Sequence, residues 1–392
     1  MEISKKNYDG YEEYFSAEEE LFENVKDMEK NSEWIPGIPS NALSLESIFP
    51  IDVCETAANC RFNEDLAMET ASSTGSQLFL SSDATGRNFL VRNCAKGTLA
   101  ETAKLSGSAL GRMGPEVYAD TLNNGFSVAR GSSMLLIRYG KLSSCHSDGD
   151  GGYAVMPISE PLADSKKVIK EKFGDARFES GYNSHSYTEA FWTLPTAQNR
   201  LVKSYQDALD DIGCDSQYPI NFMPGLRFWS SDTANACAVL QPVFQMDGSR
   251  NIAFCDGVRV KHTKKSSSSY GTELFKQEIA DIYAKFDASI EAIKSLAKVN
   301  IYHPENVVIS LCKKFNIPKK YGEAAREEIV QFASNCISAH DVYLAMTCVP
   351  AEARDREASK WVINNLEEAV AKIVHISDWK EFDVGGTVVW SN

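Results

Sequence analysis

The sequence predicts an α+β fold: a mixed sheet body with a β-meander, followed by a helical C-terminal region. Three observations predict it. SSMLLIRY, residues 132–139, is a near-continuous apolar run of strand length, which suits the middle of a sheet. GLRFWSS, ACAVLQPVFQM, NIAFC and VRVKH follow one another between residues 225 and 262, with Asp247-Gly248 and Asp256-Gly257 separating the last three. Asp-Gly pairs supply the positive φ angles that tight hairpin turns need. Beyond residue 271, Phe275, Ile279, Ile282, Phe286, Ile290, Ile293 and Leu296 step by threes and fours, the spacing of one helix face.

The remaining elements follow in order. Residues 1–33 read as a solvated acidic segment with some helical character, anchored by Tyr11, Tyr14, Phe15, Leu21, Phe22 and Val25. Pro36, Gly37 and Pro39 mark entry into the main domain. QLFLSSDATGRNFLVRN reads as two strands around a polar turn at residues 83–86. Leu99, Ala103, Leu105 and Leu110 give residues 98–110 helical spacing. PEVYADTLNNGF is a helix opening at Pro115 and stopping at Asn124-Gly125. An amphipathic helix over 159–173 and the strand YTEAFWTLP come next, then a helix capped by Thr196 and ending at Gly213. KKSSSSYG, residues 264–271, is a linker, and helices are expected near 304–315, 320–333, 338–347 and 354–374. The chain closes on HISDWKEFDVGGTVVWSN, a short aromatic strand or tail. The division is then an acidic N-terminal arm at 1–40, an α+β body at 41–265 and a helical region at 266–392.

At 392 residues the chain can bury a large core. No stretch approaches eighteen consecutive apolar residues, so neither a membrane span nor a membrane partner is expected. MEISKKNYDGYEEYF lacks an apolar signal core, and a cytoplasmic location follows. The ten cysteines form no CxxC, the closest pair being Cys54 and Cys60, which suits reduced thiols acting as small apolar residues.

Charge is uneven. Residues 1–33 hold eleven acids against four lysines, which is half of the net −14. Residues 87–141 reverse the sign, with eight basic groups against Glu101, Glu116 and Asp120. Attraction depends on local patches, so overall acidity does not exclude a nucleic-acid surface. The acidic segment admits two readings: a tail packing a few aromatics on the body, or a mimic of nucleic-acid charge covering the basic stretch.

Catalytic grammar is absent. Cys145 and His146 are adjacent on a strand and point to opposite faces, so they cannot form a dyad. SDGDGGYAV lacks the alternating ligands and terminal Glu of a calcium loop. Ser143-Ser144 and Ser230-Ser231 have no GxSxG context, and neither GxxxxGK[ST] nor a strand-following GxGxxG occurs. No catalytic residue, metal or cofactor is assigned. The basic residues carry more. Arg112, Arg130, Arg138 and Lys141 form one group, and Arg259, Lys261, Lys264 and Lys265 another at the meander edge beside His262. Such a loop can track a phosphate backbone, with Phe228, Trp229 and Tyr270 stacking on bases. It can equally be a lysine-rich edge that protects a strand. PENVVISLCKKFNIPKKYGEAAREEIVQFA has a helix-turn-helix outline, but Glu323, Glu327 and Glu328 make its second helix acidic, as in an ordinary helical hairpin.

Four blocks carry a resemblance: LGRMGPEVYADTLN; MLLIRYGKLSSCHSD, with Tyr153 beyond a glycine insertion; RFWSSDTANA; and FCDGVRVKH. Over residues 75–265 they resemble the phage- and plasmid-like family catalogued as domain of unknown function 932, with Asp256-Gly257 where that family has Asn-Gly. The resemblance implies a protein of mobile genetic elements or prophages and implies no reaction. The function expected is that of a non-enzymatic accessory protein binding nucleic acid, single-stranded DNA or RNA in particular, in replication, recombination or defence evasion. The alternative is a protein-interaction module, engaging a host partner or a second copy through the acidic arm and the C-terminal helices. Basic residues sharing one face favour the first; scattered ones favour the second.

Overall fold

The computed structural model describes residues 4–47, 78–210, 222–246, 250–253, 257–263, 277, 281–331 and 337–390. Its N-terminal segment takes part in both main sheets. β1 (Glu12–Phe15) is the edge of a seven-stranded sheet, α1 (Glu18–Lys30) follows, and β2 (Ser32–Pro39) is the edge of a six-stranded one. Residues 1–40 are therefore not a separate arm. Phe15, Leu21, Val25 and Met28 are buried, and several of the acids find cations on the body. Glu18 meets Lys166 at 2.7 Å and Lys170 at 3.0 Å, while Arg87 grips both oxygens of Glu33 at 2.7 and 2.8 Å.

The six-stranded sheet is completed by β3 (Leu43–Ser47), β4 (Leu78–Ser82), β5 (Arg87–Val91), β6 (Ser132–Arg138) and β7 (Lys141–Ser147), in the order β2-β6-β7-β5-β4-β3. Its pairs are antiparallel except β5 with β7. The apolar run of β6 lies inside the sheet, as its composition predicts. One face is covered by α2 (Lys96–Thr102) and α3 (Pro115–Val128), which bring Leu99, Leu122 and Phe126 onto Leu135, Ile137 and Leu142. Both helices depart from the sequence reading. α2 ends at Thr102, and Lys104 turns the chain with a left-handed φ of 59°. α3 continues through Asn124-Gly125 to Val128. Gly125 serves a close approach instead of a stop, since a Cβ there would lie 2.5 Å from the Ala103 carbonyl oxygen.

α4 (Ser159–Lys172), β8 (Arg177–Ser184), β9 (Thr188–Thr193), α5 (Pro195–Asp210), β10 (Phe222–Ser230), β11 (Ala238–Met246), β12 (Arg250–Ala253) and β13 (Val258–Val260) follow. The larger sheet runs β1-β8-β9-β10-β11-β12 and is antiparallel throughout. β13 pairs with residues 238–240 of β11, in line with β12 on residues 243–246, so the last strand of the expected meander does not widen the sheet. Residues 247–249 and 254–256, which include most of both Asp-Gly pairs, lie outside the described residues, as does Gly213. Thr196 is not the cap of α5: its N–H donates to the Asp175 carboxylate at 2.7 Å.

The helical region contains α6 (Ile282–Leu296), β14 (Asn300–Ile301), α7 (Pro304–Lys314), α8 (Lys319–Val330), β15 (Ile337–Ser338), α9 (Ala339–Met346), α10 (Cys348–Asp355) and α11 (Lys360–Ala371). The helix expected over 354–374 begins only at Lys360, as α11, and α10 fills residues 348–355, most of which no expected helix covered; Glu357 is left-handed at φ 54° between them. These helices share one core with the larger sheet, in which Phe286, Tyr343 and Trp379 belong with Phe15, Leu226 and Phe244. The fold is α+β, and its C-terminal helices are packed on the body. Among the described residues no helix is long and apolar enough to cross a membrane.

Candidate functional site

Strand alternation on β7 sends Cys145 into the helix-covered core and His146 to the opposite side. On that second side the loop after β10 closes against the smaller sheet. Arg138, at the end of β6, donates from Nε to Ser32 Oγ (3.0 Å), from Nη1 to the His185 carbonyl (2.7 Å) and from Nη2 to Asp232 Oδ2 (2.8 Å). The Asp232 carbonyl accepts from His146 Nε2 at 2.8 Å and from Ser144 Oγ at 3.2 Å. Tyr153 stacks on His146 with ring centroids 3.8 Å apart and planes 7° apart. Its hydroxyl lies 3.4 Å from Asp232 Oδ1 and 3.0 Å from His262 Nδ1, and His262 Nε2 is 3.3 Å from Ser230 Oγ. Trp34 lies beside both rings, 5.4 Å from Tyr153 and 6.0 Å from His146.

Three of the four sequence blocks thus converge through Arg138, Ser144, His146, Tyr153, Asp232 and His262. Apart from the half-buried Tyr153 the cluster is buried, and burial sets its protonation. It pushes His146 down to about 4 and lowers His262, while His185 falls to about 2 through burial first and the Arg92 and Arg138 charges second. All three imidazoles are therefore neutral at pH 7. Burial lifts the Cys145 thiol to about 11, so it is not a ready nucleophile. A second buried group lies nearby, where Asp9 accepts from Arg92 at 3.0 Å and Lys141 at 3.3 Å. The acidic segment does meet the basic stretch, through Asp9 in buried pairs with Arg92 and Lys141 and through Glu33 in an exposed pair with Arg87.

Beside these groups opens a cleft of about 510 Å³, lined among others by Asp9, Asn93, Glu101, Asn235, Ser359 and Trp361. It joins the N-terminal segment, the start of α2, the loop after β10 and the start of α11. Its described lining holds two carboxylates and no lysine, arginine or histidine. Ala234, in the loop wall, has φ 62°, a conformation that costs a non-glycine residue energy and that collects at ligand-contacting loops. Trp361 is 41 % exposed, and Tyr8 and Tyr14, on the segment that lines the cleft and its continuation, are 44 % and 65 % exposed. Lys360, next to Trp361, lies 5.7 Å from the Tyr14 ring and ties α11 to β1, where Glu12 and Glu13 are also exposed.

The basic residues singled out in the sequence do not assemble here. Arg138 and Lys141 are buried and ion-paired, so they are corrected from surface phosphate contacts to parts of the joint between the sheets. Arg112 and Arg130 are exposed, one before and one after α3, whose fourteen residues span roughly 20 Å at 1.5 Å per residue. Glu116 and Asp120 are exposed on the helix between them. Arg259 lies 3.5 Å from Glu368, and Lys261 is exposed. Lys264, Lys265 and Tyr270 lie outside the described residues. Phe228 and Trp229 are buried, which removes them as stacking platforms. Among the described residues no three His, Cys, Asp or Glu side chains are grouped to hold a metal ion. Sequence reasoning missed Asn93, Asn235 and Trp361. Their only sequence signal is a tryptophan two residues after Ser359, where a helix begins.

No protein-family model matches the chain, and no curated protein or solved structure matches it.

Proposed function

We propose that this chain is a protein-interaction module whose cleft takes an arginine- or lysine-bearing segment of a partner polypeptide. One observation carries the reading: a cleft whose described lining has the exposed carboxylate of Glu101 and no basic side chain, beside an exposed tryptophan. A guanidinium entering it would stack on the Trp361 indole and meet the oxygens of Asn93, Asn235 and Glu101. A phosphate would meet the Glu101 carboxylate and no described basic side chain of the lining. Exposed tryptophan and tyrosine around a pocket are also the side chains that most often carry binding energy between proteins. The acidic segment and the C-terminal helices, each expected to engage partners, contribute neighbouring parts of this surface. The motif likeness to phage- and plasmid-like proteins adds a mobile-element setting to the proposal, in which the partner belongs to the host.

The test is titration of a labelled oligo-arginine peptide and a single-stranded oligonucleotide into the protein at low and high salt. The expected outcome is peptide binding that weakens about tenfold or more in Trp361→Ala, an interfacial anchor being worth about 2 kcal/mol. Oligonucleotide binding with a steep salt slope, alongside an inert peptide, would replace this reading with the nucleic-acid one, resting on the exposed Arg112, Arg130 and Lys261.

A further inference from the structure

Sharing no residue with the cleft, the last described residues lie along the helical hairpin of α7 and α8 without regular secondary structure. Their main chain is read by one side chain. Asn306 Nδ2 donates to the carbonyls of Val384 (2.7 Å) and Gly386 (2.8 Å), and Asn306 Oδ1 accepts from the Val388 N–H at 3.4 Å. Before this stretch, Asp383 accepts the N–H groups of Tyr302 and His303 at 2.9 and 2.6 Å, which fixes where the tail departs. After it, Trp390 packs on α8 at a notch made by Gly322. A Cβ on Gly322 would lie 2.8 Å from the indole and 2.7 Å from Cys312 Sγ.

This arrangement has the parts of a peptide-recognition groove. An amide side chain bonds three main-chain groups irrespective of sequence, and a glycine notch admits one aromatic anchor. The side chains between do little to hold the tail, since Val384, Thr387 and Val389 are exposed and Val389 is 67 % accessible. Gly385-Gly386, with Gly386 at φ 87°, gives the departure point a permissive backbone. The tail also leaves a cavity of about 730 Å³ between itself and the hairpin, with Tyr302, 78 % exposed, on its wall.

We propose that the α7–α8 groove is a docking site for the segment 384–390, filled here in cis and filled in trans by the same segment of a second copy. Every contact that seats the tail in cis is available to an identical tail arriving from outside, so exchange forms the same bonds twice across a two-fold pair. Seven residues reach at most about 25 Å, enough to cross to a copy whose hairpin lies alongside. Tyr302 and Val389, exposed on the cavity wall, and the exposed Val384 at the tail's departure are apolar side chains that a second copy seated there would cover.

The test uses two full-length variants. Trp390→Ala keeps the groove and loses the anchor; Gly322→Leu keeps the anchor and fills the notch. Each alone is expected to be monomeric by light scattering, while their mixture forms a one-to-one dimer, because one groove and one tail remain to pair. Wild-type protein is expected to dimerise increasingly with concentration. If Gly322→Leu fails to fold by circular dichroism, Asn306→Ala takes its place as the groove variant. A mixture of two folded variants that stays monomeric overturns the proposal. So does a synthetic 383–390 peptide that binds Trp390→Ala while the mixture remains monomeric, since the occupant is then not a second copy. Neither result bears on Trp361, so the outcome is separable from that of the cleft.

Discussion

At the scale of single residues, the buried histidines carry the clearest consequence. His146 is held neutral, its pKa lowered from 6.5 to about 4 by burial, and its Nε2–H is spent on the Asp232 carbonyl. Between those two pH values the unfolded chain takes up a proton that the folded chain refuses. The stability from this group is therefore complete above pH 6.5 and is lost as pH falls towards 4, by about 3 kcal/mol at the end of the window. Urea midpoints should drop from pH 7 to pH 5, and His146→Gln, which keeps an N–H donor, should flatten that drop. A profile unchanged by the substitution would mean that His146 does not titrate across this window. The sequence revealed that Cys145 and His146 face opposite ways, because alternation is a property of any strand. It could not reveal that Arg138 and Lys141 are buried. Their partners Asp232 and Asp9 lie about a hundred residues away or more, and no local pattern links them.

Among the elements, helices and strands were largely legible while their ends were not. β6, α3 and the C-terminal helices form where apolar periodicity places them, because that periodicity is the burial pattern itself. α3 overruns its expected stop because Gly125 answers to Ala103 on the neighbouring segment and not to its own helix end. Gly125→Val should cost about 1–3 kcal/mol through overpacking against that carbonyl. Gly97→Ala, in α2 with open space around it, should be neutral or stabilising by up to about 1 kcal/mol. Thermal melts of the two variants would show it, and equal melting temperatures would remove the close-approach account. β13 was misplaced for a similar reason: short strands after turns read as a meander whichever stretch of β11 they pair with.

For the molecule as a whole, the N-terminal segment changes role most. Its eleven acids looked like a solvated arm or a detachable charge mimic. In the fold it supplies an edge strand to each main sheet and places Asp9 between Arg92 and Lys141. Deleting residues 1–40 should therefore abolish cooperative unfolding rather than unmask a basic surface. Circular dichroism and an oligonucleotide titration on the truncated chain would check this. A folded product that gains tight, salt-sensitive oligonucleotide binding would restore the mimic reading.

The sequence by itself determined the α+β class, the central apolar strand, the helical C-terminal region and the separation of Cys145 from His146. Each is a consequence of local periodicity or turn chemistry. Only the tertiary structure decided which charges meet and which stay exposed. Asp9, Glu101 and Trp361 come from three distant segments, and Asn306 and Trp390 from two more. Ion pairing and cleft formation are set by approach in space, whose sequence separation carries no period to read.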